Sequence, residues 1–354
     1  MAVPDTSSAS SKYYPRFTLS AECRRPAPDA PLTDQQISAL NTLRTQIHTA
    51  VAKTEAQRRW ADDRCLLRYL KARRWNINDT KQAIQDSIQW REDFKPDIPD
   101  KESLWVETEP GKLYVSGFDM ESRPLLYMKP RLENTTASIR QIRHVVFHLE
   151  TAIALMPEGV QNLCIIIDFA GSSMTKNPGV GIAREIIHVL GSHYPERLGK
   201  AYIINAPWFF FPFYKLISPF IDPVTKAKIN FVDMKKQKPK STVISTPSSA
   251  TASETDLSST TTSTKTSPFK KISSVSHPTS SSSSSSSVSD NVNLLDVIPE
   301  DMLEQAFGGS SSYEYNQEIY WNEASRVLAE ARSNLEQGAP VAAIAPDTKP
   351  NTDS

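Results

Sequence analysis

Apolar positions recur at helical spacing in three early stretches. Thr33 and Gln36 form a capping box, which predicts a helix with Ile37, Leu40, Leu43, Ile47 and Val51 on one face. A second helix starts at Asp62 and Asp63, whose charge suits a helix N-terminus. It runs through Leu66, Leu67, Tyr69 and Leu70 and ends in Lys71, Arg73 and Arg74. Asn78 is placed to cap a third helix, with Ala83, Ile84, Ser87, Ile88, Trp90 and Phe94 facing inward. Together these predict a helical subdomain over residues 31–100. From Lys112 the period shortens. Residues 112–115 and 125–128 read as strands joined by the turn-rich Gly117–Pro124, and Ile139, Ile142, Val145, Val146, Leu149 and Ile153 then return to helical spacing. Leu163–Ile167 is an unbroken apolar run ending in Asp168, which predicts a strand buried on both faces. Asn177 and Pro178 open a helix to about His188, and residues 201–204 and 229–232 are two more strands. Strands alternating with helices indicate an α/β sheet.

Composition adds one interruption to this pattern. Residues 241–290 are about sixty per cent Ser and Thr, so the stretch 235–292 cannot bury enough apolar surface to offset the entropy of ordering it. It is expected to be a disordered insertion, and lengthening a loop from about five to about sixty residues costs only roughly 2 kcal/mol. Apolar residues resume at Leu294, and Gly308-Gly309 precede a last helix containing Trp321, Val327 and Leu328. Residues 1–30 and 336–354 have no period and read as a disordered arm and a disordered tail. The strand region is therefore assigned to residues 101–234 and 293–335.

Charge and motifs remove several functions. The 354 residues carry 40 Lys and Arg against 40 Asp and Glu, which argues against a general nucleic-acid binder. Three cysteines without C-x-x-C spacing fit a reduced, intracellular chain. No stretch is long and apolar enough to span a bilayer, so membrane contact is expected to be peripheral. A nucleophile elbow, a Walker A loop and an H-E-x-x-H motif are all missing, and Gly179-Val180-Gly181 lacks the third glycine of a dinucleotide fingerprint. His144 and His148 have i, i+4 spacing that can hold zinc, but with no third ligand evident they read as a polar helix flank. The chain is expected not to be an enzyme and to need neither a metal nor a cofactor.

The most informative stretch runs from Asn205 to Ile221. Trp208, Phe209, Phe210, Phe211, Phe213, Tyr214, Leu216, Ile217 and Phe220 make a segment apolar all round, which is either deeply buried or in contact with lipid. Asp222-Pro223-Val224-Thr225-Lys226-Ala227-Lys228 follows directly, a polar end on an apolar element.

With these stretches the sequence resembles the CRAL-TRIO lipid-binding family, most closely its fungal phosphatidylinositol-transfer branch. The resemblance rests on His193-Tyr194-Pro195-Glu196-Arg197-Leu198-Gly199-Lys200, on Ile203-Ile204-Asn205-Ala206-Pro207, and on Pro219-Phe220-Ile221-Asp222-Pro223-Val224-Thr225. Asp62-Asp63 through Trp75, the Gly117 to Pro124 turn and Phe307-Gly308-Gly309 fit it as well. It implies an N-terminal helical bundle followed by a lipid-binding lobe, with a mixed β-sheet flanked by helices and a mobile gate helix. The gate falls on residues 208–220. The phosphatidylinositol headgroup would be held by Glu196, Thr225 and Lys228, with Arg73 and Arg74 matching a paired basic position. Inositol hydroxyls suit a carboxylate, and the phosphodiester suits cations and hydroxyls.

Two departures qualify the resemblance. Members that also carry phosphatidylcholine have Ser and Thr where this chain has Leu163 and Ile165, which leaves an apolar pocket wall and puts that second lipid in doubt. A sterol, which some relatives accept, would suit such a wall. Ser122 stands where the family's turn usually has Gly. The function implied is transfer of phosphatidylinositol between membranes, with bound phospholipid as ligand and transient contact with surfaces such as endoplasmic reticulum or lipid droplets from a cytoplasmic pool. The alternative is a scaffold that presents inositol lipid to a lipid kinase or a small GTPase without transferring it.

Overall fold

The capping box at Thr33 forms: its side chain accepts from the Gln36 backbone, and Gln36 reaches back to the Thr33 backbone. This starts α1 (Asp34–Gln46), which continues into one wide turn, Ile47–Val51. The stripe that packs is Leu40, Leu43 and Ile47, and Ile37 at its open end is exposed. The computed structural model describes residues 11–27, 30–136, 138–174, 179–237 and 292–338. A short α2 (Glu55–Trp60) has its own capping box from Thr54 and Gln57. Asp62 caps α3 (Asp63–Ala72) through the Cys65 N–H at 2.7 Å. The cap of α4 (Ile77–Phe94) is Asn76 and not Asn78, because Trp75 turns left-handed (φ 64°) immediately before it and the Asn76 side chain receives the Asn78 and Asp79 N–H groups. Leu66, Tyr69, Leu70, Ile84 and Ile88 close the core of this bundle. The bundle reading missed α2 and also α5 (Lys101–Thr108), which Asp100 caps.

The sheet has the order β1-β2-β3-β4-β5, built from β1 (Leu113–Phe118), β2 (Pro124–Met128), β3 (Leu163–Asp168), β4 (Leu198–Ile204) and β5 (Ile229–Val232). The β1–β2 pair is antiparallel and the other pairs are parallel, so the sheet is mixed as expected. Leu113, Val115, Leu126 and Leu163 pack on one face beneath α6 (Ile139–Ala154), with Ile186, Val189 and Leu190 of α7 (Val180–His193) packed against them. Helix α7 runs past His188 to His193, and the Asn177-Pro178 start lies outside the described residues. On the other face Tyr114, Tyr127, Ile166 and Tyr202 meet residues 294–307 and the C-terminal α10 (Gln317–Gln337).

Three expectations change. Residues 11–27 are not a loose arm: Arg16 O accepts from Gly117 N at 2.8 Å, Arg24 N donates to Met120 O at 2.8 Å, and Phe17 packs against the core on both faces of the sheet. The same segment receives the Ser122 hydroxyl at Arg24 O (2.7 Å), which steadies a serine held at φ 61°. The C-terminal tail begins later than residue 336, since α10 ends at Gln337. His144 and His148 are no polar flank. Both are buried, because α10 covers that side of α6 and the Tyr320 ring stacks on His148 at 5.5 Å. Burial pushes the His148 imidazole down to about 3. Most of the Ser/Thr-rich stretch and residues 1–10 and 339–354 lie outside the described residues.

Candidate functional site

Parallel pairing of β4 with β5 sets Ala201 opposite Ile229, which brings together the turn before β4 and the residue before β5. Glu196 and Lys228, 32 residues apart in sequence, consequently meet at 3.1 Å. Glu196 adopts φ 59°, a left-handed conformation that crowds any β-carbon. Lys228 is fixed from the other direction. Asp222 caps the one-turn α9 (Pro223–Lys226) by accepting from Val224 N at 2.7 Å, and Lys228 N then donates to Thr225 O at 3.1 Å. Thr225 and Lys228 thus ride on one turn. The side chains of Lys228 and Glu196 keep 22% and 32% of their surface, so a ligand can reach the pair.

Arg73 and Arg74 do not join it. Helix α3 ends at Ala72, Arg74 and Trp75 both turn left-handed, and Trp75 N returns to Leu70 O at 2.8 Å. Arg73 lines a cavity of about 250 Å³ with Asp79, Asp86 and His193. Among the described residues neither arginine makes a hydrogen bond or ion pair with Glu196 or Lys228.

The apolar segment forms α8 (Phe210–Ile217) and a following tight turn, Ser218–Phe220. Phe210 and Ile217 are buried, and Phe210 packs on Phe169 and Ile203 at the ends of β3 and β4. Phe209, Phe213 and Tyr214 are half-buried. Trp208 is 75% exposed, and Phe211, Leu216 and Phe220 also face solvent. Such a run of outward aromatic and aliphatic side chains is larger than the scattered apolar surface of ordinary soluble proteins.

A polar latch sits where this segment leaves the sheet. Asp168 accepts from Arg131 Nη1 at 2.6 Å and from Asn205 Nδ2 at 2.9 Å, and Asn205 itself stands at φ 56°. Sequence reasoning read Asp168 only as a strand end; the missed signal was Asn205, one residue past Ile204, which pairs with Asp168 in β4. On β3, Leu163 lies wholly in the core, whereas Ile165, packed against the same cluster, is half-buried.

The comparisons with known proteins follow these same landmarks. The profile of the CRAL/TRIO domain matches residues 108–245, and that of the CRAL/TRIO N-terminal domain matches residues 39–86. The chain belongs to the CRAL/TRIO family. This CRAL/TRIO chain is 35% identical over 267 residues to a CRAL-TRIO domain-containing protein of Schizosaccharomyces pombe, C23B6.04c, covering 75% of this chain and 21% of the relative. It is 40% identical over 186 residues to the phosphatidylinositol transfer protein PDR17 of Saccharomyces cerevisiae, 49% of this chain and 53% of that one. The SEC14 cytosolic factor of Candida glabrata is 28% identical over 219 residues, 56% of this chain and 70% of its own. The chain thus spans from about a fifth to about half the length of the first two of these curated relatives. The crystal structure of Sfh5 is similar at a TM-score of 0.45 and 17% identity over 57% of this chain and 82% of its own. No helix among the described residues is long and apolar enough to cross a membrane.

Proposed function

We propose that this CRAL/TRIO chain holds one phosphatidylinositol molecule and exchanges it at membrane surfaces. The observation that carries the reading is the join between α8 and α9. An apolar helix with its aromatic edge in solvent runs directly into the turn that carries Thr225 and sets Lys228 beside Glu196. The apolar half suits contact with a bilayer, and the polar half suits an inositol phosphate: hydroxyls to the carboxylate, phosphodiester to the ammonium and hydroxyl. In this reading α8 is the gate and the Asp168–Asn205 latch is its hinge. The names of relatives such as PDR17 support phosphatidylinositol as the lipid. An apolar wall at Ile165 favours a sterol over phosphatidylcholine as any second ligand.

The test has two arms. Lipids that co-purify with the protein are identified by mass spectrometry, and labelled phosphatidylinositol is followed from donor to acceptor vesicles. Bound phosphatidylinositol with fast exchange supports the reading. Bound lipid that does not exchange would replace it with a presenting scaffold, and absence of inositol lipid from the purified protein would sink it.

A further inference from the structure

A cavity of about 490 Å³ lies between the helical bundle and the strand region. It is walled by α2, α3, α4, the end of α6, the turn Tyr194–Arg197 and α10. Arg197 lines it while its neighbour Glu196, which faces Lys228, does not. Six arginines reach this space: Arg59, Arg64, Arg68, Arg91, Arg197 and Arg332. Three of them are occupied. Arg91 pairs with Glu150 at 2.6 Å, Arg59 pairs with Glu55 at 3.5 Å and donates to Leu335 O at 3.0 Å, and Arg332 lies 3.8 Å from Glu336. The wall's own carboxylates are largely engaged as well. Glu150 also accepts the Tyr194 hydroxyl at 2.6 Å, Asp97 faces Arg91 at 3.8 Å, and Asp62 caps α3; Glu158 is exposed at the rim.

That leaves Arg64, Arg68 and Arg197, none of which has a carboxylate within 4.0 Å among the described residues. Arg68 and Arg197 converge on Gln161. Arg68 Nη1 donates to its side-chain oxygen at 3.3 Å and Arg197 Nη1 to its backbone carbonyl at 2.8 Å. Each guanidinium has five N–H donors in a planar fork, and only Nη1 of each is engaged. Burial and the charge of Arg68 push the Arg197 guanidinium down to about 9. Glu150 and Asp62 act on Arg197 only from beyond ion-pair distance, so a deeply buried guanidinium beside the half-buried Arg68 has no carboxylate in contact, and an anion between the two would offset that cost.

We propose that this cavity is a second ligand site, which takes a phosphomonoester between Arg68 and Arg197 and thereby fastens the helical bundle to the strand region. A phosphate dianion offers the charge and the oxygens to bridge two guanidinium forks, and the volume leaves room for the polar body that carries it. That body is either a water-soluble phosphate or the headgroup of a phosphorylated lipid.

The full-length protein is melted in pyrophosphate or inositol hexakisphosphate and in chloride at matched ionic strength. A saturating site raises Tm by about 3–8 °C. Arg68→Gln removes that response, Arg68→Lys keeps part of it, and Lys228→Ala, which disrupts the Glu196 pair, keeps all of it. In unsubstituted protein, the same anions protect Arg68 and Arg197 from phenylglyoxal, read by mass spectrometry, so the test survives if a variant folds poorly. Sedimentation with vesicles containing phosphatidylinositol 4-phosphate, lost in Arg68→Gln, would make the source a lipid headgroup; a response to soluble anions alone would make it a free phosphate. No anion-specific rise in Tm, a rise that Arg68→Gln leaves intact, or one that Lys228→Ala abolishes would overturn the proposal.

Discussion

Glu196 is the residue on which two environments divide. Its left-handed backbone turns its own carboxylate toward Lys228 and the next side chain, Arg197, toward Gln161. Removing either member of the ion pair takes away a charge-assisted bond of about 1.5–3 kcal/mol. Glu196→Ala and Lys228→Ala are therefore expected to slow phosphatidylinositol transfer between vesicles at least about tenfold while far-UV circular dichroism stays unchanged. Normal transfer by both folded variants would show that the headgroup lies elsewhere. Selectivity is tested at the next strand. Phosphatidylcholine transfer should be negligible beside phosphatidylinositol transfer in one dual-label assay, and Ile165→Thr is the informative gain-of-hydroxyl variant. Leu163→Ser would mainly damage the core, because Leu163 is fully packed. His148 gives a pH signature. Its folded value near 3 lies below the ordinary value of about 6.5, so the unfolded chain binds more protons between them. Stability is full above about pH 6.5 and falls on acidification by about 1.4 kcal/mol per pH unit from this group. His148→Phe should flatten the measured stability by that slope between about pH 6.5 and 4.5.

At the scale of elements, α8 is held down by a few residues and offers the rest outward. Phe210 and Ile217 fix it, while Trp208 and Phe211 contribute less to the fold because most of Trp208 and about half of Phe211, whose ring also stacks on Phe231, already face solvent. Replacing both Trp208 and Phe211 with Ala should cut sedimentation with vesicles several-fold and leave Tm within about 2 °C. Phe210→Ala, losing a buried aromatic against Phe169, should instead cost about 3–5 kcal/mol locally. Gly309 sets a second constraint, since a β-carbon there would run into the backbone carbonyl of Leu303.

Elements with a strong local signal were legible in the chain: the Thr33 and Asp62 caps, the apolar β3 run, and the α8 segment. Helix α2 was harder, with six mostly polar residues of which none is fully buried and only Trp60 packs against the bundle core, although its Thr54–Gln57 box was there to read. The burial of His144 and His148 had no local signal. It comes from α10, more than 150 residues later, closing over α6. The candidate site was half legible for a related reason. The family resemblance pointed to Glu196 and Lys228, and parallel pairing of β4 with β5 joins them. Nothing in the periodicity of α3 indicated that its end would turn Arg74 left-handed and leave Arg73 facing a different cavity.

The whole molecule is tied together by segments remote in sequence. Residues 11–27 and 292–338 both pack into the core that the sheet and α6 build. Leu294, Ile298, Leu303, Phe307, Tyr320 and Trp321 share one cluster with Tyr114, Tyr127 and Ile166. The two ends of the Ser/Thr-rich stretch meet through one side chain: Gln237 donates to Val292 O at 2.9 Å and accepts from Leu294 N at 2.8 Å. Deleting residues 241–288 should accordingly leave bound lipid and Tm unchanged, checked by mass spectrometry and thermal melts; loss of lipid would place that stretch in the pocket.

The Gln237 clasp also defines where the backbone can be severed. A specific protease site placed between the two stems would yield a nicked protein whose pieces stay assembled, because buried side chains join them and not the peptide link. The halves would run as one species under native conditions and part only in denaturant. Expressed separately, they would complement each other as a split protein, with the smaller fragment supplying Phe307 and Trp321 to a core that otherwise lacks one wall.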